Sequence, residues 1–169
     1  NIGIACDGDV SAALWVDDTE GGVWLAVSDG RGLDWSAAVR VDEDSSGANK
    51  LVSRRSVAIV GGSILCAWRD QRMDPPAWPE EYKLFINRYD IASASLAGEF
   101  VVDGPGFEVV QDYALVASGA EAGSLTYLVF EGDSSLFLTS SVDPHQGFVA
   151  PIVLVDPVVG FDVVANESG

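Results

Sequence analysis

The sequence predicts an all-β protein, and three observations favour this fold class. Apolar and polar residues alternate in short runs, Gly-rich turns separate these runs, and none of the 169 residues falls in a segment with a helical period. The chain also repeats itself, because residues 56–72 restate residues 4–18 at an offset of 53. Repeated four-stranded units of about 45 to 50 residues, rich in Gly and aromatic residues, are typical of a β-propeller of antiparallel blades.

The first unit contains four short predicted strands. Two strands, at about 2–6 and 10–16, open the unit, and the stretch 21–41 then forms a strand, a Gly-rich turn and another strand. The offset of 53 aligns identical residues of the first and second units, namely Ala5 with Ala58, Gly8 with Gly61, Trp15 with Trp68 and Asp17 with Asp70.

The later units follow the same plan. The second unit has the same number of strands and an extra loop, and in the third unit residues 135–154 repeat residues 22–41 at an offset of 113. We therefore predict a single partial propeller over residues 1–169, of about three blades plus the first strand of a fourth. The units lie at about 1–50, 51–105, 106–156 and, incomplete, 157–169.

The number of units bears on how the fold is completed. A β-sandwich would explain the composition but not the two internal registers. Because a propeller ring has about four to eight blades, we expect a missing chain segment or further copies of the chain to close it. The only methionine is Met73, so we expect the chain to be a processed product or an excerpt of a longer one.

Charge limits the classes of partner. The chain has 26 acidic and 9 basic residues, a formal net charge of −17, and no Lys or Arg after Arg88. Binding to nucleic acid or to an anionic membrane surface depends on many cationic side chains, so both are excluded as predicted partners. No apolar run approaches the roughly 18 residues that a membrane-spanning helix requires. This acidic, lysine-poor composition favours a secreted or cell-surface protein.

Two turns resemble a known sequence motif. The stretch SDGRGLDW at residues 28–35 resembles the Asp-box, S-x-D-x-G-x-T-W, of sialidase-like propellers, although Gly30 stands at the third position. The box stabilises a turn, because its polar side chains bond the turn backbone and its aromatic residue packs between strands. The residues that carry the resemblance are Ser28, Gly32 and Trp35 in the first unit and Ser141, Asp143 and Phe148 in the third.

The resemblance to sialidases also implies candidate catalytic residues. In that family one arginine precedes the first strand of a blade, and a second arginine and a catalytic Asp come later, as Arg54 (or Arg55), Arg72 and Asp74 do here. The family needs further arginines from later blades, which this chain lacks after Arg88. We therefore predict a non-catalytic extracellular module that binds a glycan or a protein, or a subunit of a surface assembly. The alternative is part of a sialidase-type exo-glycosidase.

The inserted loop at residues 71–82 is the predicted ligand-binding segment. It contains two successive prolines, and such stiff, aromatic and acidic loops suit sugar stacking or protein docking. An apolar plug is the alternative interpretation. The predicted ligand-binding residues are Trp78, Glu80, Glu81 and Tyr82.

A calcium site is the only cofactor hypothesis that the sequence raises. Asp42, Asp44 and Ser46 match the first half of a calcium loop, but Ser53 stands where that loop requires Glu. A solvated acidic turn is the alternative. One His and two Cys are too few for a zinc site, and the two cysteines could form either a disulfide or two separate thiols.

Overall fold

The chain folds into short strands joined by turns, as a computed structural model shows. The structure describes residues 1–44, 49–72, 82–102, 110–118, 125–132, 135–143, 147–155 and 161, and no helix occurs among them. The strands are β1 (Ile2–Asp7), β2 (Val10–Asp17), β3 (Gly22–Ser28), β4 (Val39–Arg40), β5 (Lys50–Leu51), β6 (Val57–Val60), β7 (Ser63–Asp70), β8 (Lys83–Asp90), β9 (Ser95–Leu96), β10 (Phe100–Val102), β11 (Asp112–Ala117), β12 (Thr126–Gly132), β13 (Ser135–Ser141) and β14 (Ile152–Val155).

The first sheet is formed by β1 to β4 in chain order, each strand antiparallel to the next. Gly8 turns the chain between β1 and β2 with a φ of 56°, and Gly61 turns it between β6 and β7 with a φ of 57°. This left-handed conformation favours glycine, which has no Cβ to clash with the backbone. Residues at the offset of 53 therefore form the same hairpin in both units.

The second sheet contains six strands in four positions. Its centre is the antiparallel pair β7 and β8. One edge is shared by β6, which pairs with Ser63–Cys66 of β7, and β5, which pairs with Arg69 and Asp70. The other edge is shared by β9 and β10, which both pair with β8. Two strand positions are thus interrupted, and the residues between β5 and β6 leave the sheet as a loop.

The third sheet repeats the arrangement of the first. β11 to β14 pair antiparallel in chain order, with a register shift between Leu136 and Phe137 in the last pair. The turn after β13 is closed by a hydrogen bond from the Val149 amide to the Ser140 carbonyl. The turn after β3 has the equivalent bond, from Ser36 to Val27, at the offset of 113.

Two apolar clusters hold the three sheets together. Alternate residues of β7 point to opposite sides of the second sheet, as the period of a strand requires. Trp68 and Cys66 pack toward the first sheet, whereas Leu65 and Ala67 pack toward the third. The second sheet is therefore buried on both faces.

The first strands of the three sheets lie next to one another, because β6 contacts β1 on one side and β11 on the other. Gly3 of β1 permits a close approach, since a Cβ there would lie 3.1 Å from the Ser53 carbonyl oxygen. The prediction of an all-β fold is confirmed: the sheets are antiparallel and contain four to six strands. Within the described ranges no sheet closes on itself.

Candidate functional site

A cavity of about 450 Å³ opens where the first strands of the three sheets begin. Its wall combines the start of β1, the loop at residues 53–56 and the start of β11. The lining residues are Asn1, Ser53, Arg54, Arg55, Asp112, Tyr113 and Phe161.

The loop at residues 53–56 is held rigidly by its two serines. Ser56 Oγ accepts a hydrogen bond from the Ser53 amide at 2.5 Å and donates one to the Ser53 carbonyl at 2.8 Å. The Arg55 carbonyl accepts a hydrogen bond from the Leu115 amide at 2.9 Å, which ties the loop to β11. The loop therefore presents Arg54 and Arg55 from a backbone that is fixed on both sides.

Tyr113 lines the cavity and links the second and third sheets. Its hydroxyl lies 2.7 Å from Ser56 Oγ and donates to the Ala67 carbonyl at 2.8 Å. Burial raises the pKa of Tyr113, because the phenolate would lose its solvation. The side chain is therefore a neutral phenol whose role at this site is to fix the loop.

The electrostatic character of the cavity comes from two guanidinium groups and one carboxylate. Arg54 is exposed and forms no ion pair with any residue in the described part of the chain, whereas Arg55 is half-buried. Asp112 accepts a hydrogen bond from the Tyr113 amide through Oδ1 at 2.8 Å. A carboxylate or another small anion matches this pair of arginines, because guanidinium binds carboxylates through paired hydrogen bonds.

Arg72 is engaged in an ionic cluster and does not line the cavity. Its Nε donates to Asp70 Oδ2 at 2.7 Å, its Nη1 bonds Glu99, and its guanidinium lies 4.1 Å from the centre of the Phe85 ring. Burial alone would lower the pKa of Arg72, but the hydrogen bonds and charges of Asp70 and Glu99 outweigh it and raise the pKa. Asp74, the predicted acid, lies outside the described residues.

The residues of the predicted calcium loop are bound to cations of the chain itself. Arg40 bonds both carboxylate oxygens of Asp42 at 2.9 and 3.0 Å, and the Val23 amide donates to Asp42 Oδ1 at 2.7 Å. The fully buried Lys50 ammonium lies 3.1 Å from Asp44 Oδ2 and 2.9 Å from the Gly21 carbonyl. Lys50 and Arg40 therefore supply positive charge to these carboxylates.

The calcium site nevertheless stays a prediction. Ser46 lies outside the described residues, and in the part of the chain that the structure describes no three His, Cys, Asp or Glu side chains form a metal-binding group. Lys50 was not singled out in the sequence, although a lysine directly after an acidic segment could have indicated an internal counter-ion.

Of the four predicted ligand-binding residues only Tyr82 is described, and it contacts residues of the second sheet and of the segment before it. Its hydroxyl accepts a hydrogen bond from Asn49 at 2.9 Å, and the Arg69 guanidinium lies 5.1 Å from its ring centre. Trp78, Glu80 and Glu81 lie outside the described residues. Whether this loop binds a ligand therefore stays a prediction.

The two Asp-box-like turns have similar internal hydrogen bonds. Ser28 Oγ accepts from the Gly32 amide at 3.0 Å, and Ser141 Oγ accepts from the Asp143 amide at 3.1 Å. The aromatic residues differ, because Trp35 is 44% exposed and bonds the Gly32 carbonyl, whereas Phe148 packs against the core between the second and third sheets. Serine thus has the same turn-stabilising role in both units.

The cysteines are separate thiols, with Cys6 exposed and Cys66 buried. The cavity residues Ser53, Asp112 and Tyr113 were not singled out in the sequence, because they come from segments that are 60 positions apart. No protein-family model matches the chain, and no curated protein matches it in sequence. Among the described residues there is no helix long and apolar enough to span a membrane.

Proposed function

We propose that the chain is part of a β-propeller of the sialidase-like type. Three sheets of four strand positions follow one another along the chain, and their first strands lie side by side. The hairpins at Gly8 and Gly61 and the turns at Ser28 and Ser141 recur at the repeat offsets. Radial repetition of this kind places the first strand of each blade next to the axis of a propeller.

The proposed function is that of a non-catalytic extracellular module that binds a carboxylate-bearing glycan or protein. The single observation that carries the proposal is the cavity in which Arg54 and Arg55 project from a rigid loop between two sheets. In a chain with a formal net charge of −17, a pair of adjacent arginines in one cavity provides local selectivity for an anionic group. The acidic surface supports the extracellular location.

Titration with simple carboxylates tests this function. Sialic acid and glucuronic acid, each compared with its methyl ester, are titrated calorimetrically into the wild type, Arg54→Ala and Arg31→Ala. Arg31 is the matched control, because it is exposed and pairs with Asp9 outside the cavity. We expect Arg54→Ala to weaken acid binding roughly tenfold or more, as loss of a charge-assisted hydrogen bond implies. Equal binding of acid and ester, or an equal loss in both variants, would contradict the proposal.

A sialidase-type exo-glycosidase is the second candidate function. It is favoured by the position of Arg54 in the cavity, but Arg72 is neutralised by Asp70 and Glu99 and lies elsewhere. A fluorogenic sialoside distinguishes the two functions. We expect no hydrolysis above the uncatalysed rate; turnover that Arg54→Ala abolishes and Arg31→Ala retains would establish the enzymatic alternative instead.

A further inference from the structure

The face of the first sheet that points away from the second sheet carries exposed apolar side chains. Ile2 and Ile4 of β1 are 57% and 61% exposed, and Cys6 on the same face is exposed as well. The cross-strand pairs Ile2 with Trp15 and Trp15 with Trp24 continue this surface across the sheet. We call this surface the free face of the first sheet; its members are Ile2, Ile4, Cys6, Ala13, Trp15 and Trp24.

Most of the equivalent residues of the second unit, at the offset of 53, are buried in the core. Adding 53 converts four residues of the free face into residues of the apolar core between the first and second sheets, whereas Ile2 becomes Arg55, which lies outside that core. The equivalent pairs are Ile4 with Val57, Cys6 with Ile59, Ala13 with Cys66 and Trp15 with Trp68. The free face of the first sheet is therefore equivalent to the face through which the second sheet packs against the first sheet.

The complementary surface lies on the third sheet. Val23, Leu25 and Val39 form the part of the first sheet that packs against the second, and adding 113 converts them into Leu136, Leu138 and Ile152. The cross-strand pair of Leu138 with Ile152 places these two side chains on one surface, and Ile152 is 59% exposed. The exposed faces of the first and third sheets are therefore equivalent to the two surfaces that pack together between the first and second sheets.

We propose that the free face of the first sheet binds the Leu136–Leu138–Ile152 surface of the third sheet in a second copy of this chain. The contact is heterologous, because the two surfaces differ, and it reproduces the packing of the second sheet on the first. The proposal rests on the proposed repeat architecture and is independent of which ligand the Arg54 cavity binds. Uncovered apolar surfaces of this kind mark association sites.

Sedimentation of single variants tests the location of the contact. We expect the wild type to reach at least twice the chain mass of 17.8 kDa as its concentration rises. Ile4→Glu places a charge in the contact and should weaken association roughly tenfold or more. Leu33→Glu is the matched control, because Leu33 is 83% exposed in a turn outside the free face, and it should associate like the wild type. A wild type that stays monomeric, or equal effects of both variants, would overturn the proposal.

Mixing two variants tests the heterologous geometry. Ile4→Glu and Ile152→Glu each retain one intact surface, so each should be monomeric alone, and together they should form a one-to-one dimer. If the free face instead bound the free face of another copy, the mixture would form no such dimer. Absence of the one-to-one dimer would therefore overturn the proposed pairing. Thermal unfolding of each variant, monitored by circular dichroism, establishes that the charges were introduced into folded protein.

Cys6 provides a readout that needs no substitution. Because Cys6 is exposed and Cys66 is buried, a thiol reagent reports on the free face of the folded protein. We expect Cys6 to react severalfold more slowly at high protein concentration than at low concentration. Rates that do not change with concentration would count against the contact. Carboxylate binding by Arg54 is measured separately, so loss of self-association with retained binding would refute only the present inference.

Discussion

Trp15 and Trp68 occupy the same position in two successive units, but their surroundings differ. Trp68 is fully buried between the first and second sheets and stacks on Phe85 at a ring distance of 6.0 Å. Trp15 is half-buried on the uncovered side of the first sheet. Identical residues in a repeat therefore contribute differently to stability, because the energy of an apolar side chain depends on the neighbour that covers it.

Asp17 and Asp70 show the same difference for a charged residue. Asp17 accepts hydrogen bonds from the Thr19 and Glu20 amides, which lower its pKa, and it stays in solvent. Asp70 is completely buried and bonds both the amide and the guanidinium of Arg72. The repeat thus preserves a turn-forming carboxylate, and the second sheet additionally uses it to neutralise a cation.

The largest expected effect is that of removing the buried tryptophan. Trp68→Ala should lower the free energy of unfolding by about 3 to 5 kcal/mol, because a large cavity forms between two sheets. Trp15→Ala should cost about 1 kcal/mol, as is usual for a partly exposed side chain. Urea unfolding at a concentration at which the chain is monomeric measures both. Equal losses would show that the free face is covered within a single molecule.

Neutralising the buried aspartate should have the next largest effect. Asp70→Asn should lower the free energy of unfolding by about 3 kcal/mol, because Arg72 then keeps a buried charge with one fewer counter-ion. Asp17→Asn should have a much smaller effect, since its hydrogen bonds are made in solvent. The two variants are compared by urea unfolding at neutral pH. A loss of equal size in both would mean that turn formation, and not neutralisation of Arg72, is what Asp70 contributes.

The buried thiol of Cys66 makes the stability of the fold depend on pH. Burial raises the pKa of the Cys66 thiol, so its stabilising contribution is complete below the unfolded pKa of about 8.5 and is lost as pH rises toward the folded pKa. By pH 10 this loss amounts to about 2 kcal/mol.

The matched variant isolates this contribution. Cys66→Ala should lose about 2 kcal/mol less stability between pH 7.5 and pH 10 than the wild type. Tyr113, whose pKa is also raised by burial, is present in both proteins, so its contribution cancels. An identical pH dependence in both would refute a buried neutral thiol at Cys66.

The smallest effect should be the same in both units. Gly8→Ala and Gly61→Ala each place a Cβ on a residue with a φ near 57°, which should cost about 1 kcal/mol at either position. Backbone geometry at the two hairpins is alike even though side-chain burial is not. Urea unfolding of the two variants measures this, and a difference of more than about 1 kcal/mol would mean that the hairpins are not equivalent.

Much of the fold could be predicted from the sequence, whereas the candidate site could not. The strands and their order follow from alternation and turn residues, and the interruption of the second sheet between β5 and β6 did not show in the pattern. Arg54 was identified through a resemblance, but its cavity needs Tyr113 and Asp112 from the next unit. Arg72 was identified in the same way, and its charge is taken up by Asp70 and by the distant Glu99.

The amino-acid sequence is sufficient to specify the strand content, the hairpins at Gly8 and Gly61 and the serine-stabilised turns, because these depend on residues close together in the chain. Tertiary packing sets which copy of each repeated residue is buried and which cations are neutralised. Burial and ion pairing depend on the sheet that packs alongside, and that sheet is encoded elsewhere in the chain. For this reason Trp15 and Trp68 look identical in the sequence and differ in the folded protein.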